Sequence, residues 1–165
     1  MVTLIAAVAK NMIIGSNGEI PWNIPSDLKW FFKTTKGAAV IMGRKTYESM
    51  GSRPLPKRFN VVVTSNNDYE HGCDAQAGSV YSAMSKVPLG QDIFIIGGAG
   101  IYTEGLKYAN KMVISWVNTE SEGDAKFPLF DQDRWEVTSR LHPDEIGLDT
   151  SKDDYSYKIN IYELR

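Results

Sequence analysis

Four short apolar runs, Val2–Val8, Ala38–Met42, Asn60–Thr64 and Ile93–Ile96, set the strongest limit on what this chain can fold into. Each is strand-sized and too short for a buried helix. Between them lie segments of helical pattern: Ser26–Thr35, Lys45–Met50, Ser82–Val87 and Ile101–Tyr108. A fifth run, Met112–Val117, follows the last of these. Continuously apolar strands alternating with short helices specify βα units and a parallel sheet covered on both faces. The end of the chain differs. Trp135–Leu141 and Ser156–Leu164 alternate apolar and polar residues around a polar stretch containing Pro and Gly, the pattern of an antiparallel pair. The expected fold class is therefore α/β: a mostly parallel central β-sheet flanked by helices, with a C-terminal antiparallel strand pair. At 165 residues the chain is sized for one domain, 1–165.

Ala9–Ile24 fits no regular element. Asn11, Gly15, Asn17, Gly18 and Pro21 are turn formers. This long loop leaves the C-terminal end of the first strand, where open α/β sheets place their ligands. It reads as an active-site loop.

Cys73 is the only cysteine, which excludes an intrachain disulfide and a cysteine-held zinc. No metal site is expected: His71 and His142 lack ligand spacing, and Glu120, Glu122 and Asp124 read as a solvated acidic loop. No apolar run approaches the ~20 residues that span a bilayer, and the start lacks the basic and apolar regions of a secretory signal. A reducing cytoplasm and no membrane partner are expected. The net charge of −2 argues against a nucleic-acid binder, yet residues 1–58 alone carry +6. A positive N-terminal third on an acidic chain suits a small anionic ligand or a solvated face.

Two places repeat one local design. Strand Ala38–Met42 ends at Gly43, and Arg44-Lys45-Thr46 opens a helix; strand Ile93–Ile96 ends at Gly97-Gly98-Ala99-Gly100, and Ile101-Tyr102 opens another. Glycines admit a phosphate to the backbone, and the first N–H groups of a helix attract anions. Two cradles suit a dinucleotide bearing a 2′-phosphate, with Arg44 and Lys45 supplying positive charge. Neither G-x-G-x-x-G nor the P-loop pattern occurs. A third constellation is Pro21-Trp22-Asn23-Ile24-Pro25-Ser26-Asp27-Leu28, where helical spacing puts Asp27 beside Trp30 and Phe31, with Leu28 adjoining. Two readings of Asp27 stand open: a first-turn acid favoured by the helix dipole, or a carboxylate in an apolar pocket that recognises paired N–H groups.

These segments follow one another as in the bacterial-type dihydrofolate reductase family. Ile5-Ala6-Ala7, Ile14-Gly15, Pro21 to Leu28, Ile41 to Gly51, Arg53-Pro54-Leu55-Pro56, Ile96 to Tyr102 and Glu122 to Pro128 all resemble that family, in order and over essentially the whole chain. The resemblance implies NADPH-dependent reduction of 7,8-dihydrofolate to tetrahydrofolate, feeding one-carbon metabolism. It implies dihydrofolate and antifolate inhibitors as ligands of a cytoplasmic monomer. The catalytic set it implies is Asp27, Trp22, Ser115 and Tyr102, with Ser115 hydrogen-bonded to Asp27 and Trp22 positioning a water. The implied substrate pocket is Ile5, Asp27, Leu28, Phe31, Met50, Leu55, Ile96 and Ser115, with Arg58 on the glutamate tail. For the cofactor it implies Ala7, Ile14 and Gly15-Ser16-Asn17-Gly18 at the nicotinamide. Gly43, Arg44, Lys45, Thr46, Thr64 and Ser65 fall at the adenine-ribose phosphates. Gly97, Gly98, Ala99, Gly100, Ile101 and Tyr102 fall at the pyrophosphate, with a cis peptide at the paired glycines. Ser115, Ile20, Ser52 and Gly100 depart from the family's common pattern. A pyrimidine reductase of riboflavin synthesis shares the general fold and the cofactor. It lacks the Asp27 helix and the Pro54-Leu55-Pro56-x-Arg58 segment, both present here.

Overall fold

The computed structural model describes all residues, 1–165. In chain order the strands are β1 (Val2–Ala9), β2 (Ile13–Gly15), β3 (Ala39–Gly43), β4 (Phe59–Val63), β5 (Ala75–Ala77), β6 (Ile93–Ile95), β7 (Lys111–Val117), β8 (Ala125–Lys126), β9 (Trp135–Leu141) and β10 (Tyr157–Leu164). The helices are α1 (Pro25–Thr35), α2 (Arg44–Ser49), α3 (Val80–Lys86) and α4 (Ala99–Gly105). Eight strands form one sheet in the order β5-β4-β3-β6-β1-β7-β10-β9. Every pairing from β5 to β7 is parallel, and β10 joins β7 and β9 antiparallel. The expected α/β architecture is thus observed.

The strands are apolar along their whole length because both faces are covered. Along β1, Leu4 faces one core and Ile5 the other; along β3, Ile41 and Met42 divide in the same way. One core, with Leu4, Ile41, Val61, Ile95 and Met112, lies under α3 and α4 through Val80, Ala83 and Tyr102. The other, with Ile5, Met42, Val62, Val113 and Ile159, lies under α1 and α2 through Trp30, Phe31 and Tyr47. α1 and α2 thereby sit on one face of the sheet's central strands and α3 and α4 on the other.

Helix ends follow from local chemistry. Pro25 opens α1 at a position where its missing N–H costs nothing. Ser79 caps α3 by accepting from the N–H of Ser82 at 3.0 Å. The helix expected over Ser82–Val87 begins two residues earlier because of this cap, and that expected over Ile101–Tyr108 begins directly after Gly98.

The loop expected over Ala9–Ile24 is not wholly irregular. Ile13–Gly15 forms β2, which pairs antiparallel with β8, about 110 residues away in sequence. Met12, Asn17 and Gly18 take positive φ on either side of it. Strands of three and two residues carry no readable alternation, and their partner is distant. β5, likewise three residues, escaped the sequence pattern for the same reason.

Candidate active site

Parallel strands deliver their C-terminal ends to one edge of the sheet. The Ala9–Ile24 loop, Gly43, Thr64 and Gly97 all leave from that edge, at β1, β3, β4 and β6. The centre of the site is Asp27, in the first turn of α1. Its Oδ1 accepts the Ser115 hydroxyl at 2.5 Å. Ser115 lies on β7, in register with Ala7 on one side and Ile159 on the other. Burial pushes the Asp27 carboxyl up from 3.8 to about 6, against the lowering effect of the Ser115 hydroxyl and with a further rise from Asp153. Of the two readings of Asp27, a solvated helix-start acid would keep an ordinary value. Asp27 is half-buried and its carboxyl is bonded to Ser115, which favours the pocket reading.

The apolar cluster between the sheet and α1 brings together Ile5 and Val113 from the strands with Trp30 and Phe31 from the helix. Leu28 does not join it as its spacing suggested. It is 54% exposed and lines an open groove of about 370 Å³ with Pro25, Lys29 and Phe32. Trp22 packs on the same apolar cluster as Ile5 and Ile24, and Met50, Leu55 and Ile96 belong to it as well. Tyr102 is buried and donates its hydroxyl to the Ile5 carbonyl at 2.7 Å. Burial, with the negative Asp27 adding to it, raises the phenol's pKa well above the usual tyrosine value. Tyr102 therefore ties α4 to the middle of β1 and carries no proton available near neutrality.

Arg58 reaches back over α1. Its Nε donates to Thr35 Oγ1 at 2.9 Å, one terminal nitrogen donates to the Pro56 carbonyl at 2.5 Å, and the other donates to the Phe32 carbonyl. The guanidinium lies over the Phe32 ring at 5.7 Å. All its partners are uncharged, so the full positive charge is oriented and has no carboxylate within the chain. The segment that carries it is held by a residue the sequence pattern did not single out. Buried Asn60 accepts from the Leu55 N–H at 2.9 Å and donates to the carbonyls of Leu55 and Arg58 at 2.9 and 3.0 Å.

The two glycine segments meet. The Gly43 N–H donates to the Gly97 carbonyl at 2.8 Å, and the Gly97–Gly98 peptide is cis. Gly97 has φ +114°, and a Cβ there would lie 3.1 Å from the Tyr102 ring. A Cβ on Gly43 would lie 3.0 Å from Ile101. Gly97 needs glycine for its φ, whereas a Cβ at Gly43 would require the Ile101 side chain to give by a few tenths of an ångström. Gly98 faces the Thr46 hydroxyl, while Gly100 opens on free space. Neither α2 nor α4 has a side-chain cap at its start. Arg44 stands over the Tyr69 ring at 5.9 Å and 3.9 Å from Glu48, a loose exposed pair; Lys45 has no ion pair. The Thr64 hydroxyl accepts from the Asn66 N–H at 3.2 Å, and Ser65 is exposed beside it. Close-set glycines, uncapped helix starts and two cations with little internal demand fit a dinucleotide with an extra phosphate.

The family model for dihydrofolate reductase matches residues 1–164. The chain belongs to the dihydrofolate reductase family. It is 40% identical over 166 positions to the dihydrofolate reductase of Bacillus subtilis (strain 168), covering 100% of this chain and 95% of that protein. With the dihydrofolate reductase of Haemophilus influenzae it shares 41% identity over 135 residues, covering 82% of this chain and 83% of the other. Among solved structures it is similar to dihydrofolate reductase from Enterococcus faecalis complexed with NADP(H) and RAB-propyl. There the TM-score is 0.89 at 29% identity, over 100% of this chain and 96% of that one.

Within this family member, the loop from β1 is pinned at both ends. The Asp124 N–H donates to the Gly15 carbonyl at 3.1 Å, and the Asn17 N–H donates to Asp124 Oδ1 at 3.3 Å. At the other end, the Asn23 N–H donates to Asp154 Oδ2 at 2.8 Å and the Asn23 carbonyl accepts from the Asp154 N–H at 3.0 Å. Gly123 packs so close to the Gly15 carbonyl that a Cβ has no room. The acidic run around Asp124 is exposed, as its composition suggested, and Asp124 in addition clasps the loop from β1. Ser52 forms the tight turn after α2 at φ +54°, and its carbonyl accepts the Tyr47 hydroxyl at 2.8 Å. Ile20 is 62% exposed on the same loop that Asp124 and Asp154 hold.

Proposed function

We propose that the chain, as one domain over 1–165, reduces 7,8-dihydrofolate to 5,6,7,8-tetrahydrofolate with NADPH, and does so as a cytoplasmic monomer. The observation that carries this reading is the Asp27 carboxylate, desolvated and held on Ser115 at the strand ends beside the paired-glycine cradle. No helix of the chain is long and apolar enough to cross a membrane.

Asp27 accepts the paired N–H groups of the pterin, a charge-assisted two-point contact. Ser115 and Tyr102 are positioning residues: one fixes the carboxylate, the other fixes the β1 carbonyl at Ile5. Ile5, Leu28, Phe31, Met50, Leu55 and Ile96 line the path of the pterin and the ring that follows it, and antifolates occupy the same pocket. Trp22 and the Ile14–Gly18 loop close the nicotinamide end with Ala7 and hold out bulk water. Gly43, Gly97, Gly98, Ala99, Gly100 and Ile101 bring backbone to the pyrophosphate, and Arg44, Lys45, Thr46, Thr64 and Ser65 take the phosphate on the adenine ribose. NADPH, when bound, supplies the hydride for C6 of the pterin. In this reading Asp27 is engaged by the pterin's paired N–H groups and does not touch N5, so the proton for N5 comes through water. The test is dihydrofolate-dependent loss of absorbance at 340 nm: a folded preparation that turns over supports the reading, and one that leaves NADPH intact refutes it.

Two expectations follow from the cations. The phosphate on the ribose carries about two negative charges, comparable to a phosphorylated side chain. Replacing Arg44 and Lys45 with alanine together raises the KM for NADPH at least tenfold more than the KM for NADH. Equal losses for both cofactors would remove these residues from the phosphate site. For Arg58, a charge-assisted pair with the tail carboxylate is worth roughly 1.5–3 kcal/mol. Arg58→Leu then weakens folate binding by ~10–100-fold while leaving a tail-free inhibitor nearly unaffected, as read by fluorescence titration.

A further inference from the structure

Helix α1 lacks a cap of its own: Ile24 stands at the N-cap position and offers no side-chain acceptor. The acceptor comes from the connection between β9 and β10. Asp153 Oδ1 accepts from the Ser26 backbone N–H at 3.1 Å, and its Oδ2 accepts the Ser26 hydroxyl at 2.5 Å. Ser26 is 2% exposed, and its oxygen lies 2.7 Å from the Tyr157 hydroxyl on β10. A serine has one proton to give. Since it donates to the carboxylate, Tyr157 donates to Ser26. The chain Tyr157 to Ser26 to Asp153 is complete, and it ends one residue from Asp27.

We propose that Asp153 is a positioning residue for the reaction: it caps α1 through both polar groups of Ser26, holds Asp27 against Ser115, and adds its negative charge to the pocket that Asp27 shares. This rests on the dihydrofolate reductase reading of the site and deepens it. The Asp27 carboxyl is bonded to Ser115 on β7 and raised by Asp153 on the β9–β10 connection, Asp27 in turn raises the hydroxyls of Tyr102 on α4 and Tyr157 on β10, and no lysine or arginine is among the groups that shift it. Both tyrosines are held neutral. Tyr157 is pushed up to about 12, chiefly by burial, with Asp27 and Asp153 adding to the rise. Asp153 is therefore the one neighbouring group whose charge opposes ionisation of Asp27. Its effect is to keep Asp27 easier to protonate than burial alone would.

The test separates charge from capping. Asp153→Asn and Asp153→Ser each keep a hydrogen-bond acceptor for the Ser26 N–H and lose the charge. The direct readout is the ¹³C titration of the Asp27 carboxyl in ligand-free protein, which needs no turnover and so stands apart from the 340 nm assay. Its midpoint falls by about 0.5–1 unit in both variants, the size expected of a nearby charge partly screened by solvent. Dihydrofolate affinity on the acid side of that midpoint rises by ~3–10-fold, because the ionised acceptor persists to lower pH, while the KM for NADPH stays within twofold. A midpoint within 0.2 units of wild type in both variants would reduce Asp153 to a cap and overturn the proposal. Failure of both variants to fold would overturn it as well, because each supplies the acceptor that capping requires. If the titration shifts but wild type does not oxidise NADPH, the functional reading fails and the Asp153–Asp27 coupling stands.

Discussion

Asp27→Asn loses ~10²–10⁴ in hydride-transfer rate at pH 7, about 3–5 kcal/mol of transition-state stabilisation. The variant keeps the shape of the side chain. It turns one acceptor oxygen into an N–H donor that faces the pterin's own donors. Activity returns as pH falls, because the substrate then arrives already protonated at N5. Single-turnover stopped flow across pH reads both effects, and a rate within threefold of wild type at pH 7 would make Asp27 an ordinary helix-start acid. The same substitution acts on stability with a defined sign. The folded value of Asp27, about 6, lies above the ordinary 3.8, so the folded state holds the extra proton between those limits. Its contribution to stability is complete below about pH 4 and is lost as pH rises through 6, by at most about 3 kcal/mol. Asparagine has no such dependence. The stability of the variant relative to wild type therefore increases between pH 4 and pH 8, measured by urea unfolding at each pH. Removing a buried charge of this kind often leaves a protein as stable as before, or more so.

Asn60→Leu has the second large effect. The replacement fills similar space but strands the Leu55 N–H and the carbonyls of Leu55 and Arg58 without partners. A buried polar group left unpaired costs ~1–3 kcal/mol, so the total loss is about 3–5 kcal/mol. For a chain of this size that lowers the thermal midpoint by roughly 10–15 °C. Because Asn60 fixes the turn that presents Leu55 and Arg58, folate affinity falls at least tenfold while NADPH affinity changes little. A loss of under 1 kcal/mol in urea unfolding would show that the segment holds its shape without Asn60.

What could be read from the sequence divides along physical lines. β1, β3, β4 and β7 were legible because both their faces are buried and their apolar runs have no other use. β9 was legible in full because one of its faces meets solvent and the alternation is clean. The glycine cradles were legible because Gly97 takes a φ that demands glycine and Gly43 sits tightly against Ile101. β2, β5 and β8 were not, since two or three residues make no period. The polar side chains that hold the site were harder still. Asp124, Asp153 and Asp154 look like ordinary surface acids of a negative C-terminal third. Their roles depend on partners more than 100 residues away, at Gly15, Ser26 and Asn23. Asn60 read as one more residue of a buried strand; an asparagine inside an apolar run was the available signal that a polar partner lies beside it. Leu28 shows the limit of helical spacing, which places it near Asp27 but does not say which side of the helix meets the sheet. The link from Ser115 to Asp27 spans 88 residues and came from the family resemblance, with the geometry then supplying its length and direction.

The central claim is that the strand-end site moves a hydride from the nicotinamide to C6 of the pterin with Asp27 holding the ring. The most direct measurement is a single turnover of dihydrofolate with NADPH deuterated at the transferring C4 position, followed by NMR of the product. Deuterium at C6 of tetrahydrofolate, with a primary isotope effect on the step and the same label position at a much lower rate in Asp27→Asn, is the predicted result. Product without deuterium at C6, or no product from a folded protein, would contradict the account.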